Sequence, residues 1–314
     1  MGRRCVELDL PTGTARCLGL PLEVRPGSRA VGDPRAPDGL FLLENGSSRL
    51  WRLHVGGSAA AAAVEELTVG HEGARFRSSL GSRLVLCGPD SASLLVTGTP
   101  GPGAHTPWLF DLKARTWFKL PEAPYPILSS AVIPTGDGVT VVGGWSKHCG
   151  CHGHVQVLRL RPPRSWDLAA TAAVPWRRPG AGCLARGQLL VALGWMECQG
   201  QVGTPGFRLL RRNGATQRAR SSSSRLCLLG TVGREAVSEL AALPFADSFE
   251  HNGELYAMGD EVVCVGRDHV QAFDLLQGSC RTWGLPGELT NDGSNSWVKH
   301  CGSWALAWMP QCPG

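Results

Sequence analysis
Residues Ser129 to Trp166 read SSAVIPTGDGVTVVGGWSKHCGCHGHVQVLRLRPPRSW. The apolar Ala131-Val132-Ile133 meets a turn at Gly136-Asp137-Gly138. A second run, Val139-Thr140-Val141-Val142, ends on Gly143-Gly144. After a polar spacer comes a third, Val155 to Leu160, and the stretch closes on Arg164-Ser165-Trp166. Short apolar runs bounded by Gly, Pro, Asp and Ser are the pattern of successive β-strands joined by tight turns.

The same order recurs along the chain. Leu40 to Leu43 leads to Gly46, Leu94 to Thr97 to Gly98, Leu189 to Leu193 to Gly194, and Leu255 to Met258 to Gly259. Trp304 to Ala307 leads to Trp308 without the glycine. These markers are separated by 52, 45, 51, 65 and 49 residues, a period that predicts stacked units such as propeller blades. Trp108 to Leu112 followed by Arg115-Thr116-Trp117, and Val270 to Leu275 followed by Arg281-Thr282-Trp283, repeat the end of the stretch. Trp117, Trp166 and Trp283 are therefore expected to pack between neighbouring units, as large buried aromatics. Helical periodicity is confined to two short candidates, Ala59 to Leu67 and Glu235 to Ala242.

An apolar run, Gly-Gly, a spacer, a strand with Asp-Leu and then Trp resembles the kelch repeat. Ser129 to Trp166 is the best match and Ser93 to Pro121 the next. A WD-repeat propeller would carry Gly-His and Trp-Asp pairs at fixed offsets, whereas Trp166-Asp167 stands isolated. The resemblance implies one all-β domain over residues 1–314, a closed β-propeller of six four-stranded blades. Cys5 to Leu10 and Ala15 to Leu18 read as the last two strands of a blade, and Ser296 to Trp308 as the first two. Residues 1–20 and 293–314 are thus expected to share the closing blade, which would remove exposed sheet edges. Residues 199–224, with Arg208, Arg211, Arg212, Arg218 and Arg220 before four serines, are expected to be a flexible basic insertion.

Composition agrees with many turns and excludes several classes. The chain has 314 residues with 41 Gly and 22 Pro. Its net charge of +5 is too small to argue for nucleic acid. It holds no 18-residue apolar stretch, so no membrane span is expected. Met1-Gly2-Arg3-Arg4 opens no secretory signal. The expected compartment is therefore the cytoplasm or the nucleus, with the 12 cysteines as free thiols. Cys87 and Cys264, inside apolar runs, are expected to pack as small hydrophobes.

The chemistry visible in the residues points to binding. His148, Cys149, Cys151, His152 and His154 place five metal-capable side chains in seven residues, a set that suits Zn or Cu. No second ligand pair is evident, and the expectation is a polar loop without a cofactor. Copper radical oxidases of this fold need two Tyr, two His and a Cys, yet Tyr125 and Tyr256 match no such motif. No Gly-x-Ser-x-Gly nucleophile turn occurs, and no catalytic residue is assigned. A metal-dependent oxidase or a sugar-processing propeller stays the alternative.

In a propeller, the linkers entering each blade and the loops after each second strand gather at one mouth of the channel. These segments hold Arg29, Arg77, Ser78, Tyr125, Ser130, Trp145, Arg178, Trp195 and Asn295. Arg beside Trp or Tyr is the composition of binding hot spots, and Arg suits carboxylate or phosphate. The expected function is a monomeric interaction module or scaffold that takes an acidic or phosphate-bearing segment of a partner protein. The resemblance also implies a substrate-recognition role in ubiquitin ligation, which would require a separate adaptor chain.

Overall fold
The computed structural model describes residues 2–9, 14–25, 28–36, 39–54, 63–68, 76–79, 81–99, 105–135, 138–146, 150–168, 178–185, 188–194, 224–229, 238–243, 254–258, 260–265 and 269–284. Nearly all of them are strand, turn or irregular; Pro89–Ser91 forms a 3-10 turn.

Strands β1 (Gly2–Asp9) and β2 (Thr14–Val24) form a two-stranded antiparallel sheet. Five four-stranded antiparallel meanders follow. The first contains β3 (Arg29–Gly32), β4 (Gly39–Leu43), β5 (Leu50–His54) and β6 (Val64–Glu66). The second contains β7 (Arg83–Cys87), β8 (Ser93–Thr97), β9 (Trp108–Asp111) and β10 (Thr116–Lys119). The third contains β11 (Ala131–Thr135), β12 (Gly138–Ser146), β13 (Gly150–Arg159) and β14 (Ser165–Leu168). The fourth contains β15 (Arg178–Ala185), β16 (Gln188–Gly194), β17 (Ser224–Leu229) and β18 (Ser238–Leu243). The fifth contains β19 (Glu254–Met258), β20 (Glu261–Val265), β21 (His269–Asp274) and β22 (Cys280–Gly284). The first strands of successive sheets lie side by side, β3 by β7, β7 by β11, β11 by β15 and β15 by β19. That radial order is the signature of a propeller.

The apolar runs lack alternation because the middle strands are covered on both faces. In β4, Phe41 and Leu43 pack with Leu84, Leu94, Val96, Phe110 and Trp117 of the next sheet. Leu40 and Leu42 turn the other way and join Leu53, with Leu22 and Val24 of β2 against them. Leu95 and Leu109 face the third sheet, packing with Val132, Val139, Val141 and Leu158. Trp117 and Trp166 both pack between sheets, as the sequence predicts. Cys87 is buried in the same core, where loss of hydration pushes its thiol up to about 12.

Two sequence expectations are corrected and one is met in part. Six four-stranded blades are expected; the described residues form five four-stranded sheets together with the two-stranded β1–β2. Residues 293–314, expected to complete that last unit, lie outside the described residues, as does the expected insertion 199–224 except Ser224, which opens β17. Both helix candidates contain outer strands instead: Val64–Glu66 pairs with β5 and Ser238–Leu243 with β17. A helix of about two turns is marginal in water, whereas a strand gains a whole ladder of partners. Finally, Glu254–Met258 is the first strand of its sheet, not the second. It turns into β20, whose run Val262 to Val265 occupies the second position, with Val262 and Val263 fully buried.

Candidate binding face
The linkers into the first three sheets are each locked by a serine placed just before the first strand. Ser28, Ser82 and Ser130 are almost fully buried and precede Arg29, Arg83 and Ala131. Ser28 Oγ donates to Arg25 O at 2.7 Å and Ser130 Oγ to Ile127 O at 2.9 Å, each reaching the carbonyl three residues back. Ser82 Oγ accepts from Ser79 N at 2.8 Å and donates to Gly98 O at 2.9 Å. Serine suits this position because one hydroxyl both closes the turn and satisfies buried backbone groups.

The linkers also stitch onto the preceding sheet. Ser78 N donates to Ser47 O at 3.1 Å, Gly46 N to Ser78 O at 3.1 Å, and Ser78 Oγ to Glu44 O at 2.6 Å. One sheet later, Ala123 N donates to His105 O at 2.7 Å and Ser129 N to Gly81 O at 2.9 Å. Trp145 N reaches Leu128 O at 2.8 Å. The Gly143-Gly144 pair permits this approach: at Gly144, with φ +151°, a Cβ would lie 2.0 Å from Pro126 O. Gly98, with φ +70°, sits similarly tight, its Cβ position 2.9 Å from Gly81 O.

The predicted residues fall into distinct groups. Ser78 and Ser130 are buried and their hydroxyls serve the linkers. Arg29 opens β3 and is partly buried. Arg77 is exposed and makes no hydrogen bond or ion pair among the described residues. Trp145 is 38 % exposed. Arg178 opens β15, while Trp195 and Asn295 lie outside the described residues.

Arg29, Arg77 and Arg178, all expected in segments that enter a sheet, do not stand at equivalent places in the repeat frame. Arg77 stands five residues before Ser82, as Tyr125 stands five before Ser130. The arginine that opens a first strand in the second sheet is Arg83, which sequence reasoning missed. Arg83 is buried and its Nε donates to Ser130 O at 3.3 Å, tying one sheet to the next. The signal was present in the sequence, since Ser28-Arg29 and Ser82-Arg83 are the same dipeptide at the same place.

Tyr125, His152 and His154 come together where the third sheet's second and third strands extend. The Tyr125 and His154 rings stack at 3.8 Å and 20°, and the His152 and His154 ring centroids are 5.3 Å apart. His152 Nε2 donates to Pro126 O at 2.7 Å, and its Nδ1 accepts from His154 N at 3.3 Å. Both ring nitrogens are thus engaged with backbone, in the neutral tautomer. Burial, more than the nearby His154 and His105, holds the His152 imidazole below its ordinary value, against the opposing Pro126 bond. In this arrangement His152 has no ring nitrogen left for a metal. His148 and Cys149 lie outside the described residues, and Cys151 lies on β13. Among the described residues no group of three or more His, Cys, Asp or Glu side chains is placed to hold a metal ion.

These features define a β-propeller, a class in which linkers and second-strand loops share one face. No family model matches the chain, and no curated protein does. The solved structure of YjhT is similar, with a TM-score of 0.58 and 11 % identity, over 86 % of this chain and 88 % of that one. At that identity the likeness is one of fold. No described helix is long and apolar enough to cross a membrane.

Proposed function
We propose that this chain is a kelch-type propeller interaction module that takes an acidic or phosphate-bearing segment of a partner protein on the face of its linkers. The observation that carries this reading is Arg77. It projects from a linker that is itself clamped to the preceding sheet, and it is exposed with no counter-ion among the described residues. The other arginines on this side behave differently: Arg25 lies 3.2 Å and Arg49 3.8 Å from Glu44. An uncompensated guanidinium on a clamped linker, with the half-buried Tyr125 at the matching position of the next linker and the exposed Trp145 on β12, suits a carboxylate or phosphate group. Arg178 opens β15 at the entry of the fourth sheet, and association is expected to weaken with salt.

The test is capture of partner proteins, identified by mass spectrometry, beside thermal melting of the same Arg77→Ala/Arg178→Ala variant. The reading expects capture to be lost with an unchanged melt. Retained capture would move binding off this face, and lost capture with a collapsed melt would make these arginines structural.

A further inference from the structure
A second surface lies at the outer rim, between the second and third sheets. Phe118 on β10 is 40 % exposed and Leu168 on β14 is 52 % exposed, two of the four exposed large apolar side chains among the described residues. β10 and β14 are the outermost strands of neighbouring sheets. Two contacts align them: the Arg164 guanidinium carbon lies 5.9 Å from the Phe118 ring centre, and Trp166 Nε1 donates to Pro121 O at 2.9 Å. Residues 118–121 and 164–166 therefore run side by side in the same direction. Side chains alternate across a strand, so Leu168 continues the face of Trp166. The half-buried Trp166, packed on the core of Leu109, Leu120 and Leu158, floors a stripe with Phe118 and Leu168 on its flanks.

The two segments that frame the stripe carry more positive than negative charge. Residues 113–122 and 159–168 hold Lys113, Arg115, Lys119, Arg159, Arg161 and Arg164 against Glu122 and Asp167. That excess of four compares with a net charge of +5 for the whole chain. Arg159 pairs with Asp167, Lys119 with Glu122 at 3.7 Å, and Arg115 with Glu65 of the preceding sheet. Arg164 has no carboxylate partner among the described residues; its Nε reaches Leu160 O at 3.4 Å while the head lies over Phe118. A second copy of this chain would bring the same positive excess onto the stripe, so self-association is opposed by charge.

We propose that this rim stripe docks a short linear segment of a partner protein, acidic and apolar in alternation. Its apolar side chains would rest on Phe118 and Leu168, and a carboxylate would meet Arg164. The narrow, strand-length shape fits an extended peptide rather than a folded surface, and the proposal stands independently of the linker face.

The experiment selects random dodecapeptides displayed on phage against the full chain, and then measures a selected peptide, synthesised with a fluorophore, by anisotropy. Enriched sequences should place Asp or Glu beside Leu, Phe or Ile. Binding should weaken at least about tenfold with Arg164→Glu, and similarly with Phe118→Ser/Leu168→Ser, while Arg77→Ala leaves it unchanged. Arg164 is exposed, so its variant should melt like the parent; should the double serine variant fail to fold, Arg164→Glu alone decides. The proposal is overturned if no peptide is enriched, if enriched peptides lack acidic residues, or if binding survives Arg164→Glu. Loss of binding with Arg77→Ala would also overturn it. So would sedimentation of the parent as a dimer that Phe118→Ser/Leu168→Ser returns to monomer, which would make the occupant a second copy.

Discussion
Gln156 and Tyr125 close on each other through two hydrogen bonds: Tyr125 N donates to Gln156 Oε1 at 2.9 Å, and Gln156 Nε2 donates to Tyr125 O at 3.4 Å. Gln156 is fully buried in β13, so its amide replaces a missing strand partner for the linker that carries Tyr125. Gln156→Leu keeps the volume and removes both bonds, leaving buried backbone groups unpaired. The variant should lose about 1–3 kcal/mol of stability in urea unfolding, and the melt should fall accordingly. Gln156→Ala would add a cavity and cost more. A parent-like midpoint for Gln156→Leu would show that water serves Tyr125 equally well.

His152 makes the stability of the third sheet pH-dependent. Burial, its largest influence, keeps the imidazole below its ordinary 6.5 in the fold. The unfolded chain then binds the proton more readily, so stability rises with pH in this window. The contribution is present above about 6.5 and is lost as pH falls through the lower folded value. His152→Gln should flatten the slope of unfolding free energy as pH falls below about 6.5. An identical slope in the variant would assign the dependence to other histidines.

Much of this architecture was legible because two-sided burial writes itself as short continuous apolar runs. Leu40 to Leu43, Leu94 to Thr97 and Val139 to Val142 are all covered second strands, as their glycine endings predict. Outer strands are harder to read, since they need little apolar content. Val64–Glu66 and Ser238–Leu243 lie in Ala- and Glu-rich segments that resemble helix until their ladder partners are known. The binding face was legible as a set of segments but not as side-chain roles. Ser78 and Ser130 look like polar loop residues, and only their partners reveal them as linker locks. Gln156 in Val155-Gln156-Val157 and Gln271 in Val270-Gln271-Ala272 were signals that went unused: an amide inside an apolar strand implies a buried partner. Gln271 is likewise buried, and its Nε2 reaches Cys280 Sγ at 2.6 Å.

Gly144 should tolerate no side chain. Its φ of +151° is outside the range of ordinary L residues, and a Cβ would meet Pro126 O at 2.0 Å. Gly144→Ala must push the extended hairpin away from the linker, breaking the Trp145–Leu128 and His152–Pro126 bonds. A loss of roughly 1–3 kcal/mol is expected in chemical denaturation, with faster hydrogen exchange at the Trp145 amide. Gly278, with φ +66° but open space around it, is the control: Gly278→Ala should show only the smaller cost of its backbone angle.

The two-stranded β1–β2 sheet offers the last test. Leu22 and Val24 of β2 pack on Leu40, Leu42 and Leu53, covering a face of the first sheet that no other described sheet reaches. Removing residues 2–24 would expose that face. Full burial of a Leu or Val side chain contributes about 1.5–3 kcal/mol, and these two are partly buried, so the loss is at the low end for each. The β1–β2 ladder goes with them, which leaves an apolar sheet face open to other chains. The truncated protein should melt lower and associate, both effects visible by light scattering during a thermal ramp. Leu22→Asp separates the causes, because it keeps the ladder and spoils only the packing. It should lower the melt without driving association as strongly. A truncation that stays monomeric with the parent melting curve would show that β1–β2 is an appendage, and that the closing blade expected of residues 1–20 and 293–314 contributes nothing to the ring.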